Sequence, residues 1–144
     1  MSDISIVSNP ADIAACFDIR RTVFIQEQGV SEEEEMDGLD DRCVQVLARV
    51  DGLPVGTARI NYLPGYAKFQ RVCVLKEARG TGLGAEIMRF MIAHEYSRGE
   101  VSSVRLDAQT QALDFYRRLG FVEEGEEFLD AGIPHLHMRL EFTR

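Results

Sequence analysis

The seven residues Arg79-Gly80-Thr81-Gly82-Leu83-Gly84-Ala85 constrain this chain more than any other stretch. They lie between an apolar run, residues 71–75, and a segment of helical period from Leu83 to about Tyr96. Glycine at alternate positions lets the backbone adopt positive φ and approach a ligand closely. The turn empties into a helix N-terminus, where unpaired N–H groups and the positive dipole end point outward. A strand, a glycine turn and a helix in that order make a seat for phosphate or pyrophosphate.

Spacing separates the phosphate ligands. A Walker-type loop ends in Gly-Lys-Ser or Gly-Lys-Thr, and no lysine follows these glycines. A dinucleotide loop is matched by Gly80, Gly82 and Ala85, with Asp107 downstream for a ribose contact, which would make an oxidoreductase module. Against it, Lys76-Glu77-Ala78-Arg79 separates the apolar run from the first glycine. The chain beyond Asp107 is also too short for the rest of a doubly wound sheet. The third reading is an Arg-x-x-Gly-x-Gly loop from Arg79 to Gly84, and its alternative is a plain helix start.

Charge narrows the partners. A net charge of −8 disfavours nucleic acid and anionic membrane surfaces and suits a cationic or amine-bearing partner. No segment approaches the ~20 apolar residues of a membrane span, and Met1-Ser2-Asp3-Ile4-Ser5 has no signal-like core, so a cytoplasmic protein is expected. Cys16, Cys43 and Cys73 are odd in number and widely spaced, which predicts reduced core residues rather than disulfides or a zinc site. At 144 residues, one domain over 1–144 is expected.

Along the chain, Ile4 and Ile6 mark a first strand. Asn9-Pro10 starts a helix, with Asn9 as cap, that runs to about Gln28 and carries Arg20, Arg21, Gln26 and Glu27 on its polar face. Residues 31–41 form an acidic tract, read either as a solvated loop or as the mouth of an amine pocket in which Glu35 and Asp37 take part. Residues 43–50 alternate, Asp51-Gly52 signals a hairpin, and residues 54–62 and 67–75 complete an antiparallel meander. That meander is wrong for a dinucleotide fold, whose first strand leads directly into its loop. After the loop, Leu83, Ile87, Phe90, Met91 and His94 share a helix face, with His94 expected in the core. Residues 101–106 form a strand parallel to 71–75. A helix over 109–119 ends at Gly120, and strands from Phe121 and over 133–142 close the chain. His135 and His137 share a strand face, but nothing supplies convincing further ligands, so no metal is expected.

A second motif joins the loop. Phe115-Tyr116-Arg117-Arg118-Leu119-Gly120-Phe121 resembles the Phe-Tyr-x-x-Leu-Gly-Phe segment of the GCN5-related N-acetyltransferases (GNAT), and Arg79–Gly84 resembles their coenzyme A loop. The two motifs stand at the separation usual there, with matching elements between them, so the likeness covers essentially the whole chain. Arg21-Thr22-Val23-Phe24-Ile25-Gln26-Glu27-Gln28 and Gly132-Ile133-Pro134-His135 are similar to a subgroup of small bacterial ElaA-like members.

The resemblance implies a mixed, largely antiparallel α/β sheet flanked by helices, with a splayed parallel strand pair at the coenzyme. It implies transfer of an acetyl group from acetyl-CoA to a small-molecule or peptide amine through a direct ternary complex. Carried over residue by residue, the backbone of Arg79, Gly80, Thr81, Gly82, Leu83 and Gly84 binds pyrophosphate. Cys73, Val74 and Leu75 lie along the pantetheine, and a Val74 or Leu75 N–H holds the oxyanion. Tyr116 protonates the leaving thiolate or, alternatively, merely packs. Gln109 stands where many relatives have asparagine. No motif marks a base; Glu27, Glu35 and Asp107 are candidates, and relatives often use a water chain instead. A silent acyl-CoA-binding domain is the alternative function, and the family's habit leaves a homodimer open.

Overall fold

The structure, a computed structural model, describes residues 2–143; Met1 and Arg144, the ends of the expected domain, lie outside the described residues. β1 (Ser2–Val7) leads to α1 (Pro10–Arg20), which continues as a π-helical segment, Arg21–Glu27. A one-turn helix α2 (Glu32–Glu35) precedes the meander β2 (Cys43–Val50), β3 (Leu53–Leu63) and β4 (Tyr66–Val74). The long helix α3 (Leu83–Arg98), β5 (Ser103–Gln109), α4 (Leu113–Arg118), β6 (Val122–Asp130) and β7 (Ile133–Glu141) complete the chain.

All seven strands join one sheet in the order β1-β2-β3-β4-β5-β7-β6, with β4–β5 as the parallel pair and every other pairing antiparallel. Alternation sends neighbouring residues to opposite faces. Val46, Ala48, Ile60 and Phe69 meet Ile87, Met88 and Met91 of α3 on one face, while Leu47 and Cys73 meet Cys16, Ile19 and Val23 on the other. Burying a side chain such as Ile87 or Met91 contributes about 1.5–3 kcal/mol.

Two features open the sheet in its middle. The β3–β4 register slips between Thr57 and Arg59, and Arg71 sits there with a left-handed φ of 57°, a bulge that bends the strand. Before it, β4 and β5 pair only over three residues each, from Tyr66↔Ser103 to Lys68↔Arg105, and then part. A Lys68–Asp107 ion pair at 2.9 Å stands at the fork.

Four expectations need correction. The first helix loses α geometry after Arg20, where Thr22 Oγ1 bonds back to the Asp18 carbonyl at 3.1 Å and competes with the helical ladder. Arg20 is not on a polar face but 1% exposed. Gln109 ends β5 instead of starting a helix; a 3-10 turn, Thr110–Ala112, intervenes before α4. His94 is half-exposed and stacks on Phe90, while Glu95 beside it is fully buried, held by the Tyr62 hydroxyl and Arg98.

The acidic tract is also more than a solvated loop. The Arg20 guanidinium clasps Glu35 at 2.8 Å and Asp40 at 2.6 Å. Arg59, fully buried, holds Asp37 at 2.5 Å and Asp40 at 3.1 Å. Arg71, on the bulge, adds Glu35 at 3.0 Å. The tract is thereby pinned against β3 and β4.

Candidate active site

Where β4 and β5 part, an open cleft of about 320 Å³ forms. The π-helical segment supplies one wall with Val23, Phe24 and Glu27; β4 supplies Cys73 and Val74, and α4 supplies Tyr116. A π-helical turn at a cleft is a common mark of a functional position, because the extra residue re-aims side chains that an α-helix would turn elsewhere.

Hydrogen-bond alternation decides what β4 offers. The Leu75 N–H donates to the Val55 carbonyl at 2.8 Å, so Leu75 is committed to β3. The neighbouring pair, Gly56↔Val74, is then a non-bonded one, and the Val74 N–H and carbonyl turn away from β3. Arg79 Nε takes the carbonyl at 3.0 Å, and β5 has already departed, so the Val74 N–H faces the cleft. Of the two oxyanion donors the sequence allowed, only Val74 is turned toward it.

A second hollow, of about 460 Å³, lies at the glycine loop and shares Val74 and Arg79 with the cleft. Gly80 and Gly82 have φ of 77° and 88°, with open space where a Cβ would stand. Gly82 caps α3 without a side-chain hydrogen bond, and the first bond of the helix runs from the Glu86 N–H to the Gly82 carbonyl. The N–H groups of the first turn are therefore free for an anion. Gly84 needs no unusual φ, and a Cβ there would meet Phe115 at an ordinary 3.5 Å. Nothing in the protein itself demands glycine at 84. The loop thus fits a pyrophosphate, and the two hollows together fit a bent ligand running from the α3 N-terminus to the fork. Arg89, outside either motif, and Arg118, at a variable position of the second, also line the loop hollow.

Tyr116 packs edge-on against Phe115 and Phe121, with centroids 4.9 and 6.1 Å away. Burial pushes its phenol up to about 12, and the neighbouring Cys73 adds to the shift, so the hydroxyl is protonated at neutral pH. Burial likewise pushes the Cys73 thiol well above its ordinary range, which makes it a poor nucleophile. Gln109 lines the cleft and donates to Gln28 at 2.9 Å.

The three carboxylates expected near the acceptor are all engaged. Glu27 takes Arg79 at 2.5 Å; Glu35 is 3% exposed between Arg20 and Arg71. Burial works against the charged form of Asp107, but Lys68 and His137 prevail and hold its carboxyl below the usual range. Sequence reasoning weighed His135 only for metal and missed that it lines the cleft and a smaller hollow beside it. In the sequence it stood out only in the Ile-Pro-His likeness and as a same-face pair with His137 weighed for metal. Among the described residues no group of three or more His, Cys, Asp or Glu side chains could hold a metal, and no helix is long and apolar enough to cross a membrane.

Comparison with known proteins agrees with this layout. A family model described as an acetyltransferase (GNAT) domain matches residues 17–142. The uncharacterised N-acetyltransferase YjcF of Bacillus subtilis is 40% identical over 134 residues, covering 92% of this chain and 95% of YjcF. An acyl-CoA N-acyltransferase from Pseudomonas aeruginosa superposes with a TM-score of 0.88 at 28% identity, over 97% of this chain and 99% of that one. Escherichia coli ElaA shares the fold, with a TM-score of 0.88 at 24% identity, over 98% and 100% of the two chains.

Proposed function

Because the chain belongs to the GNAT acetyltransferase family, we propose that it moves an acetyl group from acetyl-CoA to a primary amine within one ternary complex. The observation that carries this is the Val74 N–H, freed from β3 and facing a cleft that continues into the glycine-loop hollow. In this reading the backbone of residues 79–84 and the α3 N-terminus bind the pyrophosphate. Cys73, Val74 and Leu75 run beside the pantetheine, and Gln109 contacts its far side. The Val74 N–H meets the thioester oxygen as it becomes an oxyanion, where a preorganised donor acts most strongly.

Tyr116 then gives its proton to the departing thiolate, a role supported by a phenol that is still protonated at neutral pH. The raised Cys73 thiol supports direct attack by the amine over an acyl-enzyme. Glu27 serves this reading better as the partner that positions Arg79, and Glu35 as the brace of the pocket wall, than as bases. One domain over 1–144 and a cytoplasmic setting belong to the same proposal, the latter supported by three free cysteines. The acceptor is taken to be a small-molecule or peptide amine.

The test is thiol release from acetyl-CoA by the purified protein with and without a panel of primary amines. Amine-dependent release with unmodified protein recovered is the expected result. Release that needs no amine, or acetyl trapped on Cys73, would overturn direct transfer; no release together with tight acetyl-CoA binding would favour the silent binding domain.

A further inference from the structure

An amine arrives as an ammonium ion and must lose a proton before it attacks, yet Glu27, Glu35 and Asp107 are already tied to cations. His135 is differently placed. β7 sets it opposite Gln109, where the cleft meets the smaller hollow. The residue is 8% exposed, and its ring stacks on Phe128 at 5.8 Å. Nδ1 lies 2.7 Å from the Ile133 carbonyl oxygen. A carbonyl can only accept, so Nδ1 carries hydrogen and the neutral ring keeps its lone pair on Nε2. Among the described residues no protein group bonds Nε2, and it is not one of the atoms sealed from solvent. The lone pair is therefore left open on a residue that lines both the cleft and the smaller hollow.

We infer that His135 is the general base for the acceptor; this rests on the amine transfer proposed above. Nε2 takes one proton from the ammonium, leaving the electron pair on nitrogen. That pair forms the C–N bond at the thioester carbon, the C–S bond breaks, and the second nitrogen proton is lost as the thiolate is protonated through Tyr116. His135 returns its proton to solvent, so ammonium and acetyl-CoA give amide, CoA thiol and one proton. Glu34 and Glu35 of α2, Arg71 of β4 and Asp130 of β6 share the hollow and surround the arriving cation. His137 makes the same kind of Nδ1 contact, to Asp107 at 2.6 Å, but it is 52% exposed and does not line the cleft.

The test compares two nucleophiles. A primary amine needs a base, whereas hydroxylamine is already neutral near physiological pH. His135→Gln, which keeps a donor for the Ile133 carbonyl, should lower amine turnover by about 10²-fold or more and leave hydroxylamine turnover within a few-fold of the parent. His137→Gln should leave both near the parent. Nitrogen-15 NMR of the ligand-free protein should show His135 as the Nδ1–H tautomer, a reading that needs no acceptor. Equal loss with both nucleophiles, unchanged amine turnover, or an Nε2–H tautomer would each overturn the base. No thiol release by the parent protein with either nucleophile would instead overturn the transferase reading, and the base with it.

Discussion

In the proposed reaction Tyr116 starts as a protonated phenol, because burial against Phe115 and Phe121 disfavours its anion. Tyr116→Phe keeps that packing and removes only the proton. Turnover should fall by about 10²-fold with little change in acetyl-CoA affinity. Steady-state kinetics beside a binding isotherm reads both, and unchanged turnover would reduce the tyrosine to a packing residue. The place of Tyr116 at the cleft was legible in the sequence because its motif is local. The states of Glu27 and Glu35 were not, because their arginine partners stand 52 and 36 residues away in the chain, at Arg79 and Arg71. His135 escaped for the same reason in reverse: its tautomer is set locally, but its place at the cleft is set by β5 and the hollow beside α2.

The element that positions the chemistry is the strand–loop–helix unit β4–α3. Its order, its glycines and the meander before it were readable from periodicity and turn chemistry alone. The bulge at Arg71 was not, since no glycine or asparagine announces its left-handed φ. Nor was the π-helical segment, whose apolar spacing does not distinguish it from an α-helix. Gly84 gives this unit a sharp test. Gly84→Ala adds a methyl that the protein itself accommodates, inside a helix where alanine is favoured by about 1 kcal/mol. The variant should be at least as stable as the parent to urea, yet bind acetyl-CoA more weakly in calorimetry. Unimpaired binding would mean that the ligand does not approach the loop this closely.

At the scale of the molecule, a cluster of buried charge joins α1, the acidic tract, β3 and β4. Burial alone would raise the Asp40 carboxyl, but the Arg20 and Arg59 guanidiniums outweigh it and pull it from 3.8 down to about 2. A carboxyl lowered on folding adds stability that is present above its unfolded value and lost as pH falls through its folded one. Urea midpoints should therefore hold at pH above about 4 and drop steeply toward about 2. Asp37 and Asp107 are shifted in the same direction and add to that loss. In Asp40→Asn the fall should be shallower from a lower starting stability; an unchanged slope would remove the cluster from the acid transition. The central claim, that the fork and the loop form one acetyl-CoA site, is met most directly by thermal unfolding with acetyl-CoA, CoA, NAD or ATP added separately. Ligand at about 100 times its dissociation constant stabilises by ~2.7 kcal/mol, so acetyl-CoA and CoA should raise the midpoint visibly and NAD should not. A midpoint unmoved by either CoA species would contradict the account, and the glycine loop would then be a helix start and nothing more.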